Sequence, residues 1–213
     1  MGRGCLITGK STDLLAEVVR VADQRGRDSV VARSGQFTVS DNQNASTISW
    51  NRRSALSARS VVLHAQNLYH NLNEAIVVYS VVHETTPFHE SSIVALENRT
   101  DAEVKGYLFL LRELVAQFQK QRSGTLVLAL HQRDDTTLAP AEAFSSGGFF
   151  SFAAALQQTY QNEPFSIRLC RSATSDVSAY ASFILDAADT AGTEKKPKLD
   201  WLDYPPRGLF RGR

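Results

Sequence analysis

Residues 5–21 read Cys5-Leu-Ile-Thr-Gly9-Lys-Ser-Thr-Asp13-Leu-Leu-Ala-Glu-Val-Val-Arg-Val21. The first four residues form a short apolar run of strand type. Gly9 ends it, and Ser11, Thr12 and Asp13 are side chains that cap helix N-termini. Leu14, Leu15, Val18, Val19 and Val21 then recur at helical spacing. This strand, turn and helix is one crossover unit, and the rest of the chain repeats the alternation. Further strands are expected at 29–32, 47–50, 75–82, 124–130 and 165–170, and further helices at 61–72, 101–120, 149–160 and 177–188. The run 75–82 is apolar throughout, as in parallel strands covered on both faces. The pattern predicts a single-domain α/β chain over residues 1–192: a doubly wound, mostly parallel Rossmann-type sheet with helices on both faces. Residues 193–213 are expected to form a non-helical C-terminal tail.

Composition narrows the function classes. At 213 residues, 43% hydrophobic and 21% charged, the chain builds an ordinary core and is not a disordered one. Lys and Arg total 23 against 22 Asp and Glu, so the net charge of +1 provides no bulk attraction for nucleic acid or an anionic membrane. Arg52-Arg53, Arg207, Arg211 and Arg213 are small local clusters, and neither a nucleic-acid nor a membrane partner is expected. Cys5 and Cys170 each lie in an apolar run and read as reduced core thiols, which points to a cytoplasmic location. The apolar stretch at residues 5–8 is too short for a signal segment, so no export is expected, and the sequons at Asn44 and Asn98 are then expected to carry no meaning.

The order of elements and several short segments together resemble the short-chain dehydrogenase/reductase family over nearly the whole chain. Thr8 to Leu15 is similar to that family's Thr-Gly-x-x-x-Gly-x-Gly turn, with Gly9 kept and Asp13 and Leu15 in place of the later glycines. Val78-Tyr79-Ser80-Val81 stands where the family has Asn-Asn-Ala-Gly. Gly106 keeps the glycine of the helix that begins Asn-x-x-Gly. The four positions of the resembled active site read Glu103, His131, Phe149 and Ala153 instead of asparagine, serine, tyrosine and lysine; the assignment of His131 takes residues 132–146 to hold an insertion, and Ser145 or Ser146 is the alternative for the serine. What the resemblance implies for chemistry is therefore loss. A phenylalanine has no proton to transfer, and a general acid is worth about 10²- to 10⁴-fold in rate.

The cofactor turn is altered as well. Glycines in such turns let the backbone approach a pyrophosphate seated on the first helix's amides. Asp13 places a carboxylate there, and with Ser11 or Thr12 as cap the helix is self-sufficient. Gly9, Lys10, Ser11 and Arg33 are the vestigial binding positions. Lys10 is able to reach a phosphate, and Arg33 follows the second strand where the family often carries a basic residue for a 2′-phosphate.

His64 and His70 are six apart on a helix and face different ways. His83 and His89, flanked by Glu84 and Glu90, lie in the loop after the fourth strand. In the resembled fold that loop opens at the same edge as His131, so one reading converges His83, His89, Glu103 and His131 on a metal or acid–base site. Solvated surface histidines are the preferred reading, and no metal is expected. Arg133 to Thr137 lacks the spacing of a calcium loop. Tyr107, Phe109, Phe118, Phe150 and Phe152 make two helices unusually apolar, for core packing or for a homodimer or homotetramer.

The leading expectation is a pseudoenzyme with this family's fold, without cofactor, acting through a protein partner or another ligand. The alternative is a divergent NADP(H)-dependent oxidoreductase that holds its cofactor with Lys10 and Arg33 and uses His131 as proton donor.

Overall fold

A computed structural model describes residues 3–34, 45–83, 85–133, 137–191 and 199–205. Glu84, the loop at Asp134 to Thr136, the charged stretch from Thr193 to Lys198 and the tail arginines with Phe210 lie outside them, so the readings placed there stay as expectations.

Seven parallel strands form one sheet in the order β3-β2-β1-β4-β5-β6-β7. They are β1 Gly4–Gly9, β2 Asp28–Arg33, β3 Ala45–Ser49, β4 Glu74–Ser80, β5 Thr125–His131, β6 Ser166–Ser172 and β7 Trp201–Tyr204. The helices are α1 Asp13–Gln24, α2 Ala55–Tyr69, α3 Ile93–Thr100, α4 Gly106–Gln121, α5 Pro140–Thr159 and α6 Val177–Thr190. Alternation along each strand divides the core. Cys5, Ile7, Val31, Ile76, Val78, Val127 and Cys170 meet α1 and α6 on one face. Leu6, Val30, Val77, Tyr79, Leu128 and Leu169 meet α2, α4 and α5 on the other.

Four elements differ from the sequence reading. Helix α2 starts at Ala55, earlier than 61, because Ser54 caps it by accepting from Ser57 N at 3.2 Å. Helix α3 was not anticipated as a separate segment: it buries no residue, so no apolar stripe announces it. It runs into a π-helical turn, Asp101–Lys105, and on into α4. Helix α5 begins at Pro140, well before Phe149, since proline suits the first helical position and Glu142 reaches back to accept from Ala139 N at 2.8 Å. Its Gly147-Gly148 pair hid this from a propensity reading. The tail contributes β7, which ends the sheet beside β6.

At the amino edge, Glu74 on β4 is fully buried and pairs with Arg27, which is 4% exposed and also reaches Asp189 on α6 at 2.8 Å. Arg3 adds a longer contact to Glu74 at 3.5 Å. This cluster ties β1, β2, β4 and α6 together below the sheet. Removing one member of a buried pair strands its partner's charge. Glu74→Gln is therefore expected to lower unfolding free energy by about 3–5 kcal/mol, read from urea denaturation; a loss below about 1 kcal/mol, the range of exposed pairs, would contradict the assignment.

Candidate functional site

Strand order reverses between β1 and β4, and in open α/β sheets such a switch point leaves a crevice at the carboxyl ends of the strands. Gly9 ends β1 there. A Cβ on Gly9 would lie 2.2 Å from the carbonyl oxygen of Val78, so only glycine lets β1 leave the sheet this close to β4. The chain then turns through Lys10 and Ser11 to Thr12, which caps α1 by accepting from Leu15 N at 3.5 Å. Ser11 is exposed and does not cap. Thr12 Oγ1 also lies 3.2 Å from Ser80 Oγ at the end of β4.

The two replaced glycines behave differently from the sequence expectation. Leu15 is buried in the core between α1 and the sheet, so its side chain does not fill the crevice. Asp13 is exposed in the first turn of α1, where solvent screens its repulsion of an anion.

A chain of charges runs along the crevice. Lys10 Nζ lies 2.6 Å from Glu103 Oε1 on the π-helical turn, and Arg99 Nε lies 3.3 Å from Glu103 Oε2. Arg99 continues to the fully buried Glu142 at 3.8 Å, and His83 Nδ1 approaches Glu142 at 3.7 Å. π-Helical turns concentrate at functional sites, and here the turn carries Glu103 to this network. No spacing in the sequence signals Arg99 or Glu142, which meet only through the approach of α3 to the start of α5.

Phe149 and Ala153, one turn apart on α5, are buried in the core. Phe149 stacks on Tyr79 with centroids 4.6 Å apart and meets Tyr107 edge-on at 5.6 Å, while Tyr107 packs against Trp50 at 5.7 Å. Tyr107 donates to Val78 O at 3.1 Å, so β4 is held from both sides at the crevice floor. Burial, with Glu103 nearby, holds the Tyr79 phenol well above the usual range, and Ser145 hydrogen-bonds it. Proton-bearing groups thus surround the ring of Phe149, although that ring carries none.

His131 does not join this group. It sits on the opposite face of the sheet, tilted against Tyr180, with Nε2 2.8 Å from the carbonyl oxygen of Thr174. A carbonyl only accepts, so Nε2 carries a ring hydrogen and donates it to the backbone. The expected role of His131 as proton donor is corrected accordingly. His83 turns to Glu142 and His89 is exposed beside Glu90, so His83, His89 and His131 do not converge; no metal-ligand cluster occurs among the described residues.

At the carboxyl end of β2 stand Arg33 and Ser34. Burial lowers the pKa of Arg33. Arg52 Nε donates to Ser34 Oγ at 3.1 Å, and Ser34 Oγ donates to Trp50 O at 3.3 Å. Arg52 Nη1 is buried with no hydrogen-bond partner among the described residues. A buried guanidinium N–H without an acceptor is costly, and a ligand anion is one way to satisfy it.

A cavity of about 660 Å³ adjoins at the ends of β5, β6 and β7, lined by Leu130, Leu138 and Phe150 and by the hydroxyls of Ser146, Ser172 and Thr174, among others. Residues 173–176 connect β6 to α6 beside it. Arg171 in its wall pairs through two nitrogens with Asp203 on β7 and lies 5.5 Å from the centroid of the Phe150 ring. That pair compensates its own charge. Asp203 was missed because the tail gave no strand signal.

No protein-family model and no curated protein matches the sequence. Solved structures do share the architecture. A short-chain dehydrogenase from Streptomyces avermitilis matches 95% of this chain and 88% of its own with a TM-score of 0.76 at 15% identity. An NADPH-dependent 3-quinuclidinone reductase from Rhodotorula rubra matches 95% and 90% with a TM-score of 0.75 at 11% identity. A variant of the actinorhodin polyketide ketoreductase with NADPH matches 95% of each chain with a TM-score of 0.76 at 12% identity. The fold is that of the short-chain dehydrogenases. It is a Rossmann-type fold; one of these neighbours is described as NADPH-dependent and another with NADPH. The expectation of no cofactor is overturned by that finding. Among the described residues no helix is long and apolar enough to cross a membrane.

The buried acids give a pH dependence. Burial pushes Tyr69, Tyr107 and Cys170 up to about 12, and holds Cys5 and Tyr180 well above their usual values. Between pH 9 and 12 the unfolded chain has released protons that the fold retains, so stability falls as pH rises through this window. Thermal unfolding is expected to show a steady drop in Tm there, with both thiols unreactive to a disulfide reagent until the chain unfolds. Rapid thiol titration in the folded protein would contradict this.

Proposed function

We propose that this chain is a divergent NADP(H)-dependent oxidoreductase of short-chain type, acting on an uncharged carbonyl or alcohol compound. The observation that carries the reading is the trio Arg33, Ser34 and Arg52 at the end of β2, with a buried guanidinium N–H lacking an acceptor. Rossmann-type sites that favour NAD place a carboxylate near this point for the ribose diol, whereas an arginine accommodates a 2′-phosphate. Here the strand ends in Arg33.

The amides at the start of α1 would face the pyrophosphate, with Lys10 beside them, and Arg33, Ser34 and Arg52 would take the 2′-phosphate. The bound dinucleotide supplies hydride chemistry. The cavity beside α5 holds the substrate: its apolar walls and three hydroxyls suit a neutral molecule, because Arg171 is already compensated by Asp203. With Phe149 inert, the Tyr79 phenol and the Ser145 hydroxyl are the groups placed to hold a proton near that ring.

Titration of the purified protein by calorimetry is expected to show tighter binding of NADPH than of NADH. Arg33→Ala and Arg52→Met should each weaken NADPH by about ten- to one-hundredfold, the worth of a charged hydrogen bond, while changing NADH little. Absence of NADPH binding at millimolar concentration, or equal loss for both dinucleotides, would overturn the proposal.

A further inference from the structure

Lys10 sits in the turn that leads into α1, beside the helix end where an anion gains most from the amides and the dipole. Its ammonium is turned across the switch point to Glu103, 2.6 Å away, and neither side chain is sealed from water, at 23% and 12% exposed. Glu103 has a second holder in Arg99 at 3.3 Å, so the carboxylate keeps a cation even when Lys10 leaves. The pair bridges the β1 side of the crevice to the start of α4, and Thr12 and Ser80 meet in parallel with it.

The geometry points to Glu103 as the residue that sets affinity for the dinucleotide, by competing with the ligand's phosphate for the Lys10 ammonium. This rests on the NADP(H) reading above and adds a built-in competitor to it. In the free protein Lys10 is paired inside; on binding it exchanges a carboxylate oxygen for a phosphate oxygen, and Glu103 stays with Arg99. Two anions contend for one cation, and the weaker apparent binding is a property of the turn, not of the 2′-phosphate pocket at Arg33.

The test is a double-mutant cycle with NADPH as the probe, read as Kd by calorimetry on the full chain. Glu103→Gln keeps the shape and removes the charge, and is expected to tighten NADPH about tenfold, the scale of a partly desolvated ion pair. Lys10→Met is expected to loosen it by a similar factor. In the Lys10→Met background the gain from Glu103→Gln should shrink to less than about twofold, because no ammonium remains to be released. An equal gain in both backgrounds would show that Glu103 merely repels the ligand, and no gain in either would show that it does not act on binding; each overturns the inference. Should Glu103→Gln fail to fold, Glu103→Asn carries the same comparison. If the wild type and every variant leave NADPH unbound, the cofactor reading falls first and this inference with it, which separates that failure from the case where the wild type binds and the cycle shows no coupling.

Discussion

The closeness of Gly9 to the carbonyl of Val78 is the constraint on which the carboxyl edge of this sheet depends. It lets β1 leave the sheet at once, which starts α1 at Asp13 and aims its amides over the point where strand order reverses. It also leaves Val78 O free to accept from Tyr107, so α4 is fastened to the same short stretch of β4. Gly106 repeats the logic one layer away. A Cβ there would lie 2.3 Å from the carbonyl of Arg52, so the glycine brings α4 against the start of α2 and keeps Arg52 beside Ser34. Two glycines thus place the N-terminus of α1 and the basic end of β2.

Around this frame stand the positions that the family resemblance singles out. The position that resembles a catalytic tyrosine is a ring in an aromatic stack of Trp50, Tyr79, Tyr107 and Phe149. The position that resembles the asparagine has become an acid that organises Lys10 and Arg99. Ion pairs occupy the ground between β1 and the start of α4. Architecture and catalytic residues respond to different pressures: the first is held by apolar area spread over seven strands, the second by a few side chains whose exchange costs the fold little.

Much of this was legible in residues 5–21 and in the apolar runs that follow, because a parallel sheet buried on both faces leaves a hydrophobic signature at every strand. Helix α3 was not, since Ile93 and Val94 are exposed and no stripe marks it. Nor was β7, whose four residues join an existing edge and gain their conformation from β6. For the site, Lys10, Glu103 and Arg33 were picked out from the family pattern. His131 was misassigned because side-chain alternation, not sequence position, decides which face of a strand it serves. Arg52 and Arg99 came from segments without a motif.

The sequence alone determined the strand-and-helix alternation, the parallel sheet and the absence of a titratable group on the Phe149 side chain, because these follow from local periodicity and residue chemistry. Tertiary structure alone decided that Leu15 packs inward, that Lys10 pairs with Glu103, and that Arg33, Ser34 and Arg52 share one end of β2. These are contacts between residues far apart along the chain. Their distances depend on how helices settle on the sheet, which no local pattern encodes.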